Sequence, residues 1–583
     1  MKKLTGYPSI DNIHNGDYSF FSRNPIIPNM SIYNTINLIS NFYRKEEAID
    51  CLDLRVNYDE MIKDAITLSK TLKELGVKKG DIVSVAMPNF YQGVIVYLAC
   101  NRIGAITTFI NSMSSIEEVL GYLNEFESSL FINFDKDKEY NKKIKDGSKV
   151  RNIITLHSNE ISTKNYSSIE TGANGYNDDL SFSDIGSIAK YYKKPIYTLY
   201  GGKEDSLILF TSGSTGNPKS VVLTNENLLA SGIYMKNTGK IKAKVGERCL
   251  VCVPFSYGFA TSTIMSLICG RVAVLAPTLS KDNIRYYLSK NPNYVFGSPA
   301  LLELIKRNVK DSDDLSSIHT FVSGGDFLSP MQNVDGVEFF RKHGANTVIC
   351  NGSGNAETVG TNTMAVGSLN RPETVGRVLV GTKAIIVDPD TLKELKYGEE
   401  GMLCIAGKHI YKGYYKNEEM TKNTKFMYKG VEYYKTGNMG TLDNEGYFTL
   451  TGRSSRYYIR SDLNKVYLEH IQNVIALIDV VDSVVVVPKP DEDLLFTNKA
   501  YVVLKDGVMP TKEVSDYILD MCYKPIINNV TGETIQLKPY EVPESITFLD
   551  TIPRTKADKA DYKLLEELAK EEAEHKTKKR ELK

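Results

Sequence analysis

Residues 207–224 constrain this chain more than any other stretch. The apolar run Leu207-Ile208-Leu209-Phe210 has the length and composition of a buried strand. Residues 211–219 follow and read TSGSTGNPK. Ser220-Val221-Val222-Leu223-Thr224 comes next and leads into a helix expected from Asn225. Within nine residues the loop gathers two glycines, four hydroxyls and one lysine. Such a loop can turn backbone N–H groups and hydroxyls toward one anion, and Lys219 adds a point charge. A triphosphate is the natural guest. The spacing is not that of the common Gly-Lys P-loop, because Pro218 stands where the second glycine belongs and has no N–H to offer.

These nine residues resemble the phosphate-binding loop of the adenylate-forming superfamily, which includes acyl-CoA synthetases, adenylation domains of peptide synthetases and firefly luciferase. The family pattern is TSGSTGxPKG, and Ser220 departs from it at the last position. The resemblance implies that Thr211, Ser212, Gly213, Ser214, Thr215 and Gly216 hold ATP phosphates and that Lys219 assists catalysis. Five further matches keep the family's order, from about Ile49 to Tyr562.

The chain has 583 residues and no net charge. That length suggests several domains. A neutral balance gives no reason to expect nucleic acid or an anionic membrane surface as partner. No apolar run reaches the eighteen residues of a membrane span. Eight scattered cysteines and no visible secretory leader point to a reducing cytoplasm. Cys249 and Cys252 fall in an apolar run with no second pair, so a core strand over residues 249–255 is the expectation rather than a zinc site.

Helical spacing over residues 58–79 places Met61, Ile62, Ala65, Leu68, Leu72 and Leu75 on one face. A strand is expected over residues 82–86, then a helix over residues 92–102, then another strand. This alternation argues a parallel sheet covered by helices. Residues 134–205 are polar and are expected to be mostly irregular surface. The resemblance implies an α/β architecture. Residues 1–452 form a large domain of helix-covered, mostly parallel sheets with a small barrel-like region. Residues 453–583 form a small, mobile α+β domain with its hinge near Ser455.

The downstream motifs carry the remaining chemistry. Residues 251–263 contain no acidic residue, and the resemblance makes Phe255 and Tyr257 a wall of the acid pocket. An ammonium buried there without a carboxylate would be costly, which favours an uncharged acyl or aryl tail over an α-amino acid. Gly324-Gly325 resembles the turn beside adenine, where glycine lets backbone approach a flat base. Residues 351–358 read NGSGNAET against a family pattern close to NGYGxTE. Gly354 and Glu357 match, and Glu357 would hold Mg²⁺, a cation suited to carboxylate and phosphate oxygens. Ser353 replaces the aromatic that stacks on adenine, and Ala356 the threonine that reaches phosphate.

Asn438 stands where the family's ribose-binding Asp belongs, keeping one acceptor oxygen and losing the charge. Arg453, fifteen residues on, matches the arginine on the ribose and phosphate side. The family's catalytic lysine, in PRTxxGKxD, falls on Lys559, with Asp558 replacing the glycine. A cation placed there stabilises charge developing between carboxylate and α-phosphate. Residues 401–421, including His409, look structural, with His409 expected at the surface.

The resemblance therefore implies an AMP-forming acid–thiol ligase, with ATP, Mg²⁺ and coenzyme A acting on a fatty or aryl acid. A free-standing adenylation protein that loads a separate carrier protein is one alternative. A weakened nucleotide- or acyl-binding homologue is the other, motivated by Ser353, Ala356, Asn438 and Asp558.

Overall fold

The computed structural model describes residues 4–581 except 13–18, 176–179, 212–218, 240–243, 326–327, 329, 365–369, 372, 454–456, 462–464, 492–493, 528–533 and 556–558. Two large sheets dominate it. The first has eight strands in the order Gly413–Tyr414, Lys219–Thr224, Asp205–Thr211, Ile106–Phe109, Ile82–Ala86, Leu130–Phe134, Asn152–Leu156, Leu180–Ser181. Its pairs from Asp205–Thr211 onward are parallel, and the first two are antiparallel.

The second sheet has nine strands. A parallel block runs Val348–Ser353, Thr320–Ser323, Tyr294–Gly297, Arg248–Val251, Val272–Leu275, Glu47–Cys51. Antiparallel strands extend it at both ends. The strands of the parallel block are largely buried, so they are nearly continuous in apolar residues, as sheets covered on both faces require.

The helix Tyr58–Glu74 illustrates why these elements form. Asn57 accepts from the Glu60 N–H, and the Glu60 carboxylate accepts from the Asn57 N–H, satisfying two otherwise orphaned donors. Met61, Ile62, Ala65, Leu68 and Leu72 are all buried, and Gly76 turns the chain at φ +82°. The next helix, Tyr91–Ile103, is buried all round and packs against it.

An antiparallel five-stranded sheet curls into a half-barrel: Lys383–Val387, Gly401–Ala406, Val431–Leu442 and Lys425–Tyr428, with Phe448–Arg453 on the long third strand. A smaller α+β unit follows. Strands Val481–Asp491, Leu495–Leu504 and Ser545–Phe548 pack with helices Leu468–Ile475, Lys512–Cys522 and Tyr562–Glu581. The ion pair Arg307–Asp482, at 3.7 Å, links this unit to the helix Pro299–Asn308.

Two expectations need correction and a third needs refining. Residues 134–205 are irregular over much of their length, yet they also contain the helix Lys138–Gly147, the buried strand Asn152–Leu156 and the helix Ile185–Ala189. That first helix buries only Asn141 and Ile144, too few apolar positions for its period to stand out. The strand expected over residues 249–255 ends at Val251, and a helix begins at Phe255. His409 is not at the surface but fully buried, edge-on to Tyr234 at 5.4 Å between ring centroids. Burial pushes its imidazole down to about 3.

Candidate active site

Thr211 and Lys219 face each other across an antiparallel hairpin. The loop between them, with Ser212, Gly213, Ser214, Thr215 and Gly216, lies outside the described residues, but its two ends are fixed side by side. Lys219 therefore enters the site from a strand, where its backbone is held by the ladder.

One strand further out, Gly413–Tyr414 pairs with Val222 and Val221. This edge pairing brings Tyr414 beneath Lys219, with the ammonium 5.6 Å from the ring centroid, within reach of a cation–π attraction. The Tyr414 hydroxyl donates to Oε1 of Glu357 at 2.6 Å, and the Tyr411 N–H donates to the Glu357 carbonyl at 2.7 Å. Tyr414 and Glu357 are both buried. Burial first, and then the Glu357 carboxylate, hold the Tyr414 phenol well above its ordinary range, so it remains a donor. The structure thus joins two residues singled out from sequence, Lys219 and Glu357, through a tyrosine in a segment read as merely structural.

The turn around Glu357 is tightly specified. A Cβ on Gly354 would lie 1.9 Å from the Gly360 carbonyl oxygen, so no larger residue fits. Val359 adopts φ +53°, an uncommon conformation for a β-branched residue. The Asn355 amide donates to the Tyr434 hydroxyl at 2.8 Å. Strain in a turn that is pinned at several points accompanies many functional sites.

Ser353 and Asn438, two departures from the family pattern, touch each other. The Asn438 side-chain amide donates to the Ser353 hydroxyl at 2.7 Å. Gly437, at φ +74°, sets the turn into Asn438, which pairs in register with Arg453. Among the described residues nothing lies within 4 Å of a Cβ added to Gly324 or Gly325, and Gly325 adopts φ +85°.

Phe255 packs into an aromatic cluster, 5.3 Å from Phe109 and 4.8 Å from Phe259, and is buried there. Tyr257 is half-buried on the same short helix. A π-helical turn, Phe259–Ile264, follows directly, a feature frequent at functional sites.

Lys559 belongs to the smaller unit. Its carbonyl accepts from the Thr555 N–H at 2.7 Å, and its N–H donates to the Thr555 hydroxyl at 3.3 Å. Ala560 beside it is anchored in a small core with Val487 and Leu565. Ser455 and Asp558 lie outside the described residues.

A model of the AMP-binding enzyme family matches residues 40–415, and one of the AMP-binding enzyme C-terminal domain matches residues 470–559. The chain belongs to the AMP-binding enzyme family. It is 26% identical over 568 residues to a long-chain-fatty-acid–CoA ligase of Bacillus subtilis (strain 168), covering 94% of this chain and 96% of that protein. The fold is similar to that of ATP-bound MatB from Rhodopseudomonas palustris, with a TM-score of 0.76 at 20% identity over 92% of this chain and 99% of that one. It is also similar to an anthranilate CoA ligase in complex with anthranoyl-AMP, with a TM-score of 0.79 at 19% identity over 94% and 99%. As a member of the AMP-binding family, the protein is an adenylate-forming enzyme that activates a carboxylic acid. Among the described residues, no helix is long and apolar enough to cross a membrane.

Proposed function

We infer that this AMP-binding enzyme is an acyl-CoA synthetase acting on a fatty or aryl acid with an uncharged tail. The observation that carries the reading is the chain Lys219–Tyr414–Glu357, which sets a cation and a carboxylate at the mouth of a donor-rich loop. In the first half-reaction a carboxylate oxygen of the acid attacks the α-phosphorus of ATP. The bond to the β-phosphate oxygen breaks, giving acyl-adenylate and pyrophosphate. In the second, the thiol of coenzyme A gives up its proton, its sulfur attacks the acyl carbon, and AMP leaves.

The residues divide this work. Residues 211–216 and Lys219 hold the phosphates, and Lys559 offsets the charge that gathers between the acid and the α-phosphate. Gly324 and Gly325 leave room for a flat base, while Asn438 and Arg453 take the ribose side. Glu357 suits Mg²⁺, which is commonly bound by one or two carboxylates together with substrate phosphates; the ion supplies charge neutralisation along the triphosphate. Residues 1–452 act as the nucleotide and acid domain, and residues 453–583 turn about Ser455 between the two half-reactions. The fatty-acid–CoA ligase of Bacillus subtilis and the anthranilate ligase support this choice of acid and thiol by similarity.

A weakened, ligand-binding homologue is the second reading, favoured by the Ser353–Asn438 pair and by Ala356. Losing one hydrogen bond to a charged group costs about 1.5–3 kcal/mol, enough to lower nucleotide affinity without abolishing it. The test is pyrophosphate release from ATP and Mg²⁺ across fatty, aryl and amino acids, with hydroxylamine as trap and then with coenzyme A. Release with a fatty or aryl acid, and thioester with coenzyme A, are expected. ATP binding by folded protein without release for any acid overturns the synthetase in favour of the binding homologue.

A further inference from the structure

Two segments far apart in sequence meet at the surface, and both leave apolar side chains in water. The Asn34 side-chain amide donates to the Thr198 carbonyl at 2.5 Å, and the Gly202 N–H donates to the Asn29 side-chain oxygen at 2.7 Å. Residues 26–42 and 197–202 are therefore neighbours. Leu38 lies one turn beyond Asn34 on the helix Ile32–Ile39, on the same face, and Phe42 ends the 3₁₀ turn that follows. Phe42 is 91% exposed and Ile26 87%, more than any other large apolar side chain among the described residues. Leu199 and Tyr197, beside them, are also largely exposed. Single exposed apolar residues are ordinary, but a group of them drawn from two adjoining segments marks an interaction surface.

Charge follows the same two segments. Residues 19–45 hold three basic residues and no acidic one, and residues 185–203 hold four and none. The chain as a whole is neutral, so this is a local excess that net charge conceals. Three nearby acids are already engaged, Glu170 with Lys190, Glu204 with Lys79 and Glu226 with Lys408, at 2.5–2.8 Å. Arg23, Lys193, Lys194 and Lys203 are exposed and enter no ion pair among the described residues. Lys193 also lines an open groove of about 490 Å³ with Lys190, Tyr191 and Ser187.

We propose that this surface docks on an anionic lipid bilayer. The apolar and aromatic side chains enter the interface, while the lysine stems carry their ammoniums to the lipid phosphates. A second copy of the chain is the poorer occupant, because joining two such surfaces sets cation against cation. Nucleic acid would use the cations and leave Ile26, Leu38 and Leu199 in water. Residues 190–203 lead into the start of the strand Asp205–Thr211, and the phosphate loop leaves its other end. A strand length of about 20 Å thus separates this surface from the loop, and docking does not cover it. The proposal stands apart from the choice of acid or thiol.

The experiment is co-sedimentation of the full chain with vesicles of phosphatidylcholine, with and without phosphatidylglycerol, at low and high salt. Binding that requires phosphatidylglycerol and falls with salt is expected. Lys193→Ser combined with Lys194→Ser is expected to weaken it by roughly ten-fold or more, at about five-fold per cation. Leu38→Ser combined with Phe42→Ser is expected to weaken it by roughly ten-fold through lost apolar burial. All four side chains are exposed, so the unfolding midpoint and pyrophosphate release from a water-soluble acid are expected to match wild type. Loss of vesicle binding with pyrophosphate release intact therefore tests this proposal without touching the enzymatic one. No binding to either vesicle, equal binding to both, or wild-type binding by either double variant overturns the proposal. So does a dimer in sedimentation velocity that Leu38→Ser with Phe42→Ser dissolves, which makes the surface a contact between copies.

Discussion

Replacing Tyr414 by Phe isolates one bond at the centre of the site. The ring under Lys219 remains, so the 5.6 Å cation–π contact is kept. What is lost is the hydroxyl that donates to Glu357 Oε1 at 2.6 Å, a short bond to a buried carboxylate. Bonds of that kind are worth about 1.5–3 kcal/mol. If the bond holds Glu357 in its working position, Tyr414→Phe lowers kcat/KM for pyrophosphate release by roughly 10- to 100-fold. The phenol is held above its ordinary range by burial and by Glu357, so the hydroxyl stays protonated from neutral to mildly alkaline pH. The defect is therefore expected to be the same at pH 7 and pH 9. The assay is steady-state pyrophosphate release at saturating acid, with ATP varied, on variants whose unfolding midpoint has been checked. A Tyr414→Phe enzyme within about two-fold of wild type would refute the idea that this bond positions Glu357.

Three further outcomes are expected. Lys559→Ala abolishes adenylate formation yet leaves thioester formation from supplied acyl-adenylate nearly intact; equal loss in both half-reactions removes Lys559 from the first. Asn438→Asp restores a second acceptor and a charge beside Ser353, and is expected to lower the KM for ATP by roughly ten-fold, whereas an unchanged KM argues against a ribose contact. His409 stays neutral in the folded protein because burial lowers its pKa to about 3 from an ordinary value near 6.5. A depressed histidine contributes stability that is present above the ordinary value and lost as pH falls through the window between the two, where the unfolded chain binds the proton and the folded chain does not. Between pH 7.5 and pH 5.0 that loss is on the order of 2 kcal/mol. His409→Phe keeps an aromatic ring against Tyr234 and is expected to remove that part of the acid sensitivity, measured by urea unfolding at both pH values; identical pH slopes for variant and wild type would contradict it.

Six of the eight cysteines are buried, Cys249 among them in the strand Arg248–Val251. Legibility elsewhere depended on how far apart the partners lie. Thr211 and Lys219 were legible because their partnership is local: two apolar runs around one short loop make a hairpin. Glu357 was legible by its place in a motif, but the residue that holds it was not. Tyr414 reaches it only because Gly413–Tyr414 adds an edge strand to a sheet whose nearest strand lies almost two hundred residues earlier. The signal available was the aromatic cluster Tyr411, Tyr414 and Tyr415, which spacing alone cannot connect to a carboxylate. Ser353 and Asn438 each looked like a separate loss, and only their 2.7 Å contact makes them a pair.

By itself the sequence determined the strand–helix alternation near the start of the chain and the apolar runs that flank residues 211–219, because those follow from short-range periodicity; the wider architecture was legible only through the family resemblance. The sequence also placed Glu357, Asn438, Arg453 and Lys559 in one ordered series of motifs. The tertiary structure decided what each buried polar group meets. His409 and Asn362 sit in ordinary polar-looking segments, yet both are buried with no side-chain hydrogen-bond partner among the described residues. Burial of a side chain is set by what packs over it, and those covering segments come from distant parts of the chain. Hydrogen-bond partnership between remote residues is therefore a property of the fold, and it is there that the site acquired Tyr414.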